Sequence, residues 1–184
     1  MCCLNGKKIT LIMKKLLIVV DYQVDFVNGN LGFERAVDLE QGIIAKVKEY
    51  EANHDDVIFT LDTHGSNYLQ TEEGLYLPVE HCIKGTPGHK LYGLVEKLAD
   101  KHLIFEKETF PSHQLLTYLL NKEYDYIELC GVVTNICVLS NAVIAKAAKP
   151  LAHIVVNKQL CASNDEEMEQ KSFEVMSNLQ IEII

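Results

Sequence analysis

The chain has 184 residues, 48% hydrophobic and 23% charged, which excludes a disordered protein and fits one domain with a substantial core. Its 17 basic and 26 acidic side chains give a formal net charge of −9, and the basic residues are scattered, which argues against nucleic acid as a partner. No apolar run reaches the roughly 20 residues of a bilayer crossing, and the run 9–13 is too short for a secretion signal, so the expectation is a cytoplasmic protein without a membrane partner.

Residues 1–12 differ from the rest of the chain and read as an upstream start or a frayed N-terminal extension, because Met13-Lys14-Lys15 leading into an apolar strand is a natural start for a single domain over 13–184. In chain order, apolar runs at 16–20, 57–61, 102–105, 126–129, 153–156 and 181–184 predict short strands buried on both faces. Between them, helical patterns cover 39–51, 90–100, 112–122, 136–148 and 165–178, with Ser112 and Asp165 as N-caps and Pro150 as a stop. Strands alternating with helices predict an α/β fold with a mainly parallel sheet, since parallel neighbours need a crossover. Ligands of such sheets bind beyond the carboxyl ends of the strands, where the long connections 29–33 and 65–88 lie. The six cysteines contain no CxxC pair, and reduced thiols are expected.

Chemistry collects at those strand ends. Cys137 sits where the strand-like run before Gly131-Val132-Val133-Thr134 gives way to a helix, and a thiol at a helix start has its thiolate stabilised by unpaired N–H groups and the helix dipole. Asp21 ends the first strand and Lys107 follows the third. If these strands are neighbours, Asp21 takes the thiol proton while Lys107 stabilises the charge and holds Asp21 in place. Backbone N–H groups of Val133 and Cys137 are the candidates for an oxyanion hole.

A second constellation comes after strand two. In extended chain, residues two apart face the same way, so Asp62 and His64 can bind one ion while Thr63 points elsewhere. His81 and the acidic pair Glu72 and Glu73 come later in the long loop. Such a mixed nitrogen and oxygen set suits zinc, or iron or manganese if waters complete an octahedron; turn and capping roles are the alternative.

Five segments in order carry a resemblance: Asp21-Tyr22-Gln23-Val24-Asp25-Phe26, Asp62-Thr63-His64, the stretch from Pro78 through His81 to Gly88, Lys107-Glu108-Thr109-Phe110, and Gly131-Val132-Val133-Thr134-Asn135-Ile136-Cys137-Val138. Together they resemble the isochorismatase-like cysteine hydrolases, nicotinamidase branch. The resemblance implies a Rossmann-like three-layer α/β/α fold with a six-stranded sheet. It implies Asp21 as general base, Lys107 as its partner, Cys137 as nucleophile, and a cis peptide before Val133 at the oxyanion hole. It also implies a divalent metal, zinc first, on Asp62, His64, Glu73 and His81, with Glu72 or Gln70 as alternatives for the third place. Phe26 and position 77 would flank the substrate. Nicotinamide binders of the family usually carry an aromatic residue where this chain has Leu77, for which Tyr76 or Tyr68 could substitute. Asn135 stands at a frequent Asp, and two residues separate Pro78 from His81 where one is common.

The leading expectation is an amidohydrolase cleaving a small carboxamide through a thioester, nicotinamide first, with another small amide or a carbamoyl compound as the alternative. A dinucleotide oxidoreductase would need a Gly-rich turn directly at a helix start, and Gly29-Asn30-Leu31-Gly32 is not one. A non-catalytic relative need not keep all of Asp21, Lys107 and Cys137. Homo-oligomers are common in the resembling family.

Overall fold

A computed structural model describes residues 13–184, and the extension expected over 1–12, with Cys2 and Cys3, lies outside them. The elements in chain order are β1 (Lys15–Val20), α1 (Val24–Val27), α2 (Glu34–Val37), α3 (Glu40–Ala52), β2 (Asp56–Asp62), α4 (Glu72–Tyr76), α5 (Gly93–Ala99), β3 (Leu103–Lys107), α6 (His113–Leu120), β4 (Tyr126–Val132), α7 (Leu139–Ala148), β5 (His153–Ala162), α8 (Glu166–Asn178) and β6 (Glu182–Ile183). All six strands are parallel, in the order β3-β2-β1-β4-β5-β6. α3 packs with α5, and α7 packs with α6 and α8, so two groups of helices cover the two faces. The central strands β1 and β4 are buried from their second residue onward, which is why their sequences are almost continuously apolar.

Strand order reverses between β1 and β4. Val20 is level with Gly131 there, so the chain leaves both strands side by side, at the crevice where open parallel sheets bind ligands. The approach is close: Gly131 has φ +117°, and a Cβ on it would lie 2.1 Å from the Val20 carbonyl oxygen. Only glycine fits that contact and that backbone region.

The expected helices and strands are present, with shifted ends. Ser112 Oγ accepts from Leu115 N–H at 3.1 Å and Asp165 Oδ1 from Met168 N–H at 2.9 Å, as the capping pattern predicts. β4 continues to Val132 and β5 to Ala162, because a register shift after Leu129 brings Cys161 opposite Gly131 past the polar residues Asn157 to Gln159. The helix expected from 90 begins only at Gly93, since Leu91 bridges to Gln23 in extended form. The helix expected over 136–148 opens as a π-helical turn, Thr134–Val138, before α7. Cys82, Cys130, Cys137 and Cys161 are free thiols.

Candidate active site

Asp21 leaves β1 with its side chain fully buried, and Thr60 Oγ1 donates to its Oδ1 at 2.6 Å. Lys107, the last residue of β3, brings Nζ 2.6 Å from Asp21 Oδ2, 3.1 Å from Asp62 Oδ1 and 3.5 Å from Cys137 Sγ. Asp21 and Lys107 do not sit on neighbouring strands, which corrects the simplest reading of the sequence: β2 lies between them, and the lysine stem reaches across it. The ammonium meets Asp21 Oδ2 as a buried ion pair, which holds the carboxylate in place beside the thiol.

Burial opposes the stabilisation expected of a thiolate at a helix start. Burial pushes the Cys137 thiol well above its usual range; Lys107 opposes this, but the charges of Asp21 and Asp62 and a hydrogen bond to Asp21 add to it. Cys137 lies inside the π-helical turn, buried except where it faces the cavity, so loss of water works against the few N–H dipoles of a helix end. Burial works against the charge on Lys107, yet Asp21, Cys137 and Asp62 hold the ammonium well above its ordinary value. Two carboxylates share that one cation. Burial therefore raises Asp21, with Lys107 opposing and Asp62 adding to the rise.

The Val132–Val133 peptide is cis, as the resemblance implied, and the Val133 carbonyl accepts from the N–H groups of Ile136 and Val138 at 3.1 and 3.2 Å. Val133 and Cys137 both line a cavity at the strand ends.

Beside the thiol, Asp62, His64, Glu73 and His81 bring ligand atoms within 4.8 Å of one another. His64 Nε2 is 2.8 Å and His81 Nε2 3.4 Å from Asp62 Oδ2, and they stand 3.8 and 3.7 Å from Glu73 Oε1. Ligands about 2.1 Å from a tetrahedral ion sit roughly 3.4 Å apart, so two imidazoles and two carboxylates at these separations fit a divalent metal. His81 Nδ1–H donates to the Val79 carbonyl at 2.8 Å, which turns Nε2 into the cluster as the nitrogen that would ligate a metal. Thr71 caps α4 by accepting from Gly74 N–H at 3.1 Å and so turns Glu73 toward the histidines; Glu72 and Gln70 are exposed and outside the cluster. Burial disfavours the charged Asp62, but hydrogen bonds from His64 and His81 together with Lys107 hold its carboxyl far below the usual range. Thr63 turns away, donating to the Leu61 carbonyl and meeting His89 Nε2 at 2.8 Å.

The cavity above both groups measures about 210 Å³. Asp62, Glu73, His81 and Cys137 supply its polar floor, and Phe26, Leu31, Phe33, Leu77 and Phe110 its walls. Phe26 also packs on His81, ring centres 5.4 Å apart. Phe26 and Leu77 thus lie where the sequence put them. The tyrosines offered in place of an aromatic at 77 do not: Tyr76 is 85% exposed, and Tyr68 is packed behind His64 and His81 at 4.7 and 4.9 Å, its hydroxyl donating to the Leu77 carbonyl. Phe33 and Phe110 supply the aromatic surface instead, together with Asn164 as a polar rim residue that sequence reasoning missed. Phe110 closes the Lys107-Glu108-Thr109-Phe110 segment and Phe33 ends the connection 29–33, the two signals that were available. Gln23 was also missed. Its side chain accepts from Asp62 N–H at 2.7 Å and donates to the carbonyls of Asp62 and His89 at 2.9 and 2.8 Å, fixing the backbone of the metal-site strand.

A thiol, a carboxylate and an ammonium, all buried and facing a small cavity, are the equipment of a cysteine-dependent hydrolase on a parallel sheet. The chain belongs to the isochorismatase family, whose domain model matches residues 15–184. It is 37% identical over 169 residues, 84% of this chain and 90% of the relative, to an uncharacterized isochorismatase family protein, PncA, of Bacillus subtilis strain 168. The crystal structure of nicotinamidase PncA from Bacillus subtilis matches 93% of this chain and 99% of its own length, with a TM-score of 0.82 and 29% identity. Pyrazinamidase of Pyrococcus horikoshii in complex with zinc shares the fold, with a TM-score of 0.82 at 23% identity over 93% of this chain and 98% of that one.

Proposed function

We propose that this protein is an amidohydrolase that converts nicotinamide, or a close heteroaromatic carboxamide, to the carboxylate and ammonia. The observation that carries the reading is the meeting of Asp21, Lys107 and Cys137 beneath a cavity whose floor also holds the Asp62, His64, Glu73 and His81 cluster. The likeness to the nicotinamidase of Bacillus subtilis in fold and sequence supports it. A cavity of about 210 Å³ is below the 300–1,000 Å³ usual for drug-sized ligands, which favours a substrate of one ring.

In this reading Cys137 Sγ attacks the amide carbon while its proton passes to Asp21 Oδ2. The carbonyl oxygen takes up negative charge against the N–H groups of Val133 and Cys137. Asp21 then gives the proton to the amide nitrogen, the C–N bond breaks and ammonia leaves a thioester. Water attacks next, losing a proton to Asp21; the C–S bond breaks, the acid is released and the thiol recovers its proton. Lys107 keeps Asp21 oriented and offsets charge through both halves of the cycle. Burial favours the protonated thiol, so attack is assisted by a base that takes the proton, the role given to Asp21. A divalent ion on the four ligands, zinc by its donor set, supplies a Lewis-acid contact for a ring nitrogen or a water. The buried free thiols favour a reducing compartment, the cytoplasm, and no described helix is long and apolar enough to cross a membrane.

The test is ammonia release from nicotinamide and a panel of small amides and carbamoyl compounds by metal-loaded protein, read against Cys137→Ala. Release from nicotinamide that disappears in the variant supports the reading. No release above the variant removes nicotinamide, and silence across the panel removes the amidase.

A further inference from the structure

Behind the turn that carries Cys137 lies a polar network that the reaction scheme does not use. Thr134 is fully buried, and its Oγ1 donates to Glu169 Oε1 at 2.8 Å. Glu169 projects from α8, almost completely buried, and its Oε2 accepts from Arg35 Nη2 of α2 at 2.7 Å. Arg35 Nη1 also donates to the Ser163 carbonyl at 3.2 Å, and Ser163 Oγ donates to Asn135 Oδ1 at 2.6 Å. A buried carboxylate is costly unless both oxygens are satisfied, and here each oxygen has one partner from a different wall of the site. One partner adjoins Val133; the other is two residues from Phe33 on the cavity wall.

We propose that Glu169 is a positioning residue for acyl transfer: by accepting from the Thr134 hydroxyl while tethered to Arg35, it fixes the backbone on either side of Val133, whose N–H receives the substrate oxygen. The inference rests on the oxyanion role proposed for Val133. A hydroxyl-to-carboxylate bond is short and directional, so it fixes the turn more tightly than apolar packing of equal volume. Interactions that sharpen only as charge develops raise kcat and leave KM nearly alone. Glu169 touches neither substrate nor thiol and acts through Thr134.

The experiment compares Thr134→Val, Thr134→Ser, Glu169→Ala and Glu169→Gln with the wild type, all metal-loaded. The readouts are kcat and KM for amide hydrolysis, the dissociation constant of pyridine-3-carboxaldehyde, and the rate at which iodoacetamide alkylates Cys137. The aldehyde accepts the thiol across its C=O, an S–C bond forming while the thiol proton passes to Asp21 and the former carbonyl oxygen takes up the negative charge, so its affinity reads the oxyanion site. Alkylation displaces iodide at a CH2 and develops no oxyanion. Thr134→Val and Glu169→Ala should lower kcat about 10- to 100-fold, the scale of a misplaced reacting group, with KM within about threefold. Aldehyde affinity should fall in step, and alkylation should stay at the wild-type rate. Thr134→Ser, which keeps the hydroxyl donor, should retain kcat, and Glu169→Gln, whose amide oxygen can still accept from Thr134 but whose NH2 then faces the Arg35 guanidinium, should fall between the wild type and Glu169→Ala. Variants that lose only thermal stability, with kcat and aldehyde affinity retained, would make the network merely structural. A parallel fall in alkylation would place its effect on the nucleophile instead. If Thr134→Val does not fold, Glu169→Ala carries the same expectation and the same refutation. Wild type that binds the aldehyde but hydrolyses no amide removes the proposed function and leaves this inference testable by affinity; wild type that alkylates but binds no aldehyde overturns the oxyanion assignment and the inference together.

Discussion

Lys107→Met keeps most of the stem and removes the charge that Asp21 and Asp62 share at 2.6 and 3.1 Å. All three side chains are buried, so no water replaces the ammonium, and breaking a buried pair in this way costs about 3–5 kcal/mol. Asp21 has an escape, because it can take a proton. At pH 7, protonating a carboxyl whose unfolded pKa is about 3.9 costs roughly 1.36 kcal/mol per pH unit, or about 4 kcal/mol in all, which caps the loss from that residue. Linkage sets the sign. In the variant the folded Asp21 holds a proton that the unfolded chain has released, so stability declines as pH rises above about 4 and the deficit at pH 5 should be about 1.5 kcal/mol. Urea unfolding at pH 5 and pH 7 measures both values. Activity should fall about 10²- to 10⁴-fold, since a protonated Asp21 is no base. Asp21→Asn combined with Lys107→Met should regain much of the stability at pH 7 and none of the activity. A Lys107→Met protein within about 1 kcal/mol of wild type at both pH values, or one keeping a tenth of kcat/KM, would refute the shared-cation account.

Phe110→Ala removes one aromatic wall, 41% exposed, and should raise KM about 2- to 12-fold at unchanged kcat, the scale of one stacking contact; steady-state kinetics decides. Gly131→Ala forces a Cβ to 2.1 Å from the Val20 carbonyl at φ +117° and should cost about 3 kcal/mol or more by urea unfolding, against an expected gain if the site were an ordinary strand position. Alkaline pH should weaken the fold. Cys130 and Cys137 are raised well above their usual value by burial, and Tyr126 and Tyr68 are pushed up to about 12, again by burial first. Unfolded chains lose these protons near pH 8.5–10 while the folded state keeps them, so melting temperature should drop from about pH 9 upward, and a flat profile to pH 11 would contradict the burial.

The strands and helices were legible because their patterns are long and physically driven: apolar runs such as that of β1, and caps such as Ser112 and Asp165. Asp21, Lys107, Cys137 and the Asp62 and His64 pair were legible because they fall at strand ends, where side chains face the crevice. Strand order was not, since nothing local says that β2 separates Asp21 from Lys107. The continuation of β5 past Asn157 was hidden too, because polar residues there break the apolar run while the register shift restores pairing. The surroundings of Cys137 were hidden for a related reason: helix position is local and visible, whereas burial comes from distant segments. Phe33, Phe110, Asn164 and Glu169 lie far apart in sequence and share a site only through the crossovers.

The reach of Lys107 across β2 makes Asp62 a member of two circuits, the ion cluster and the charge balance around the thiol. Replacing Asp62 to strip metal therefore also releases the lysine to Asp21 alone, and a change in rate would report both events at once. Glu73 meets the two histidines and not Lys107, so replacing it leaves the lysine's contacts in place. For this enzyme the choice of ligand to mutate decides whether metal dependence and nucleophile chemistry can be separated by experiment.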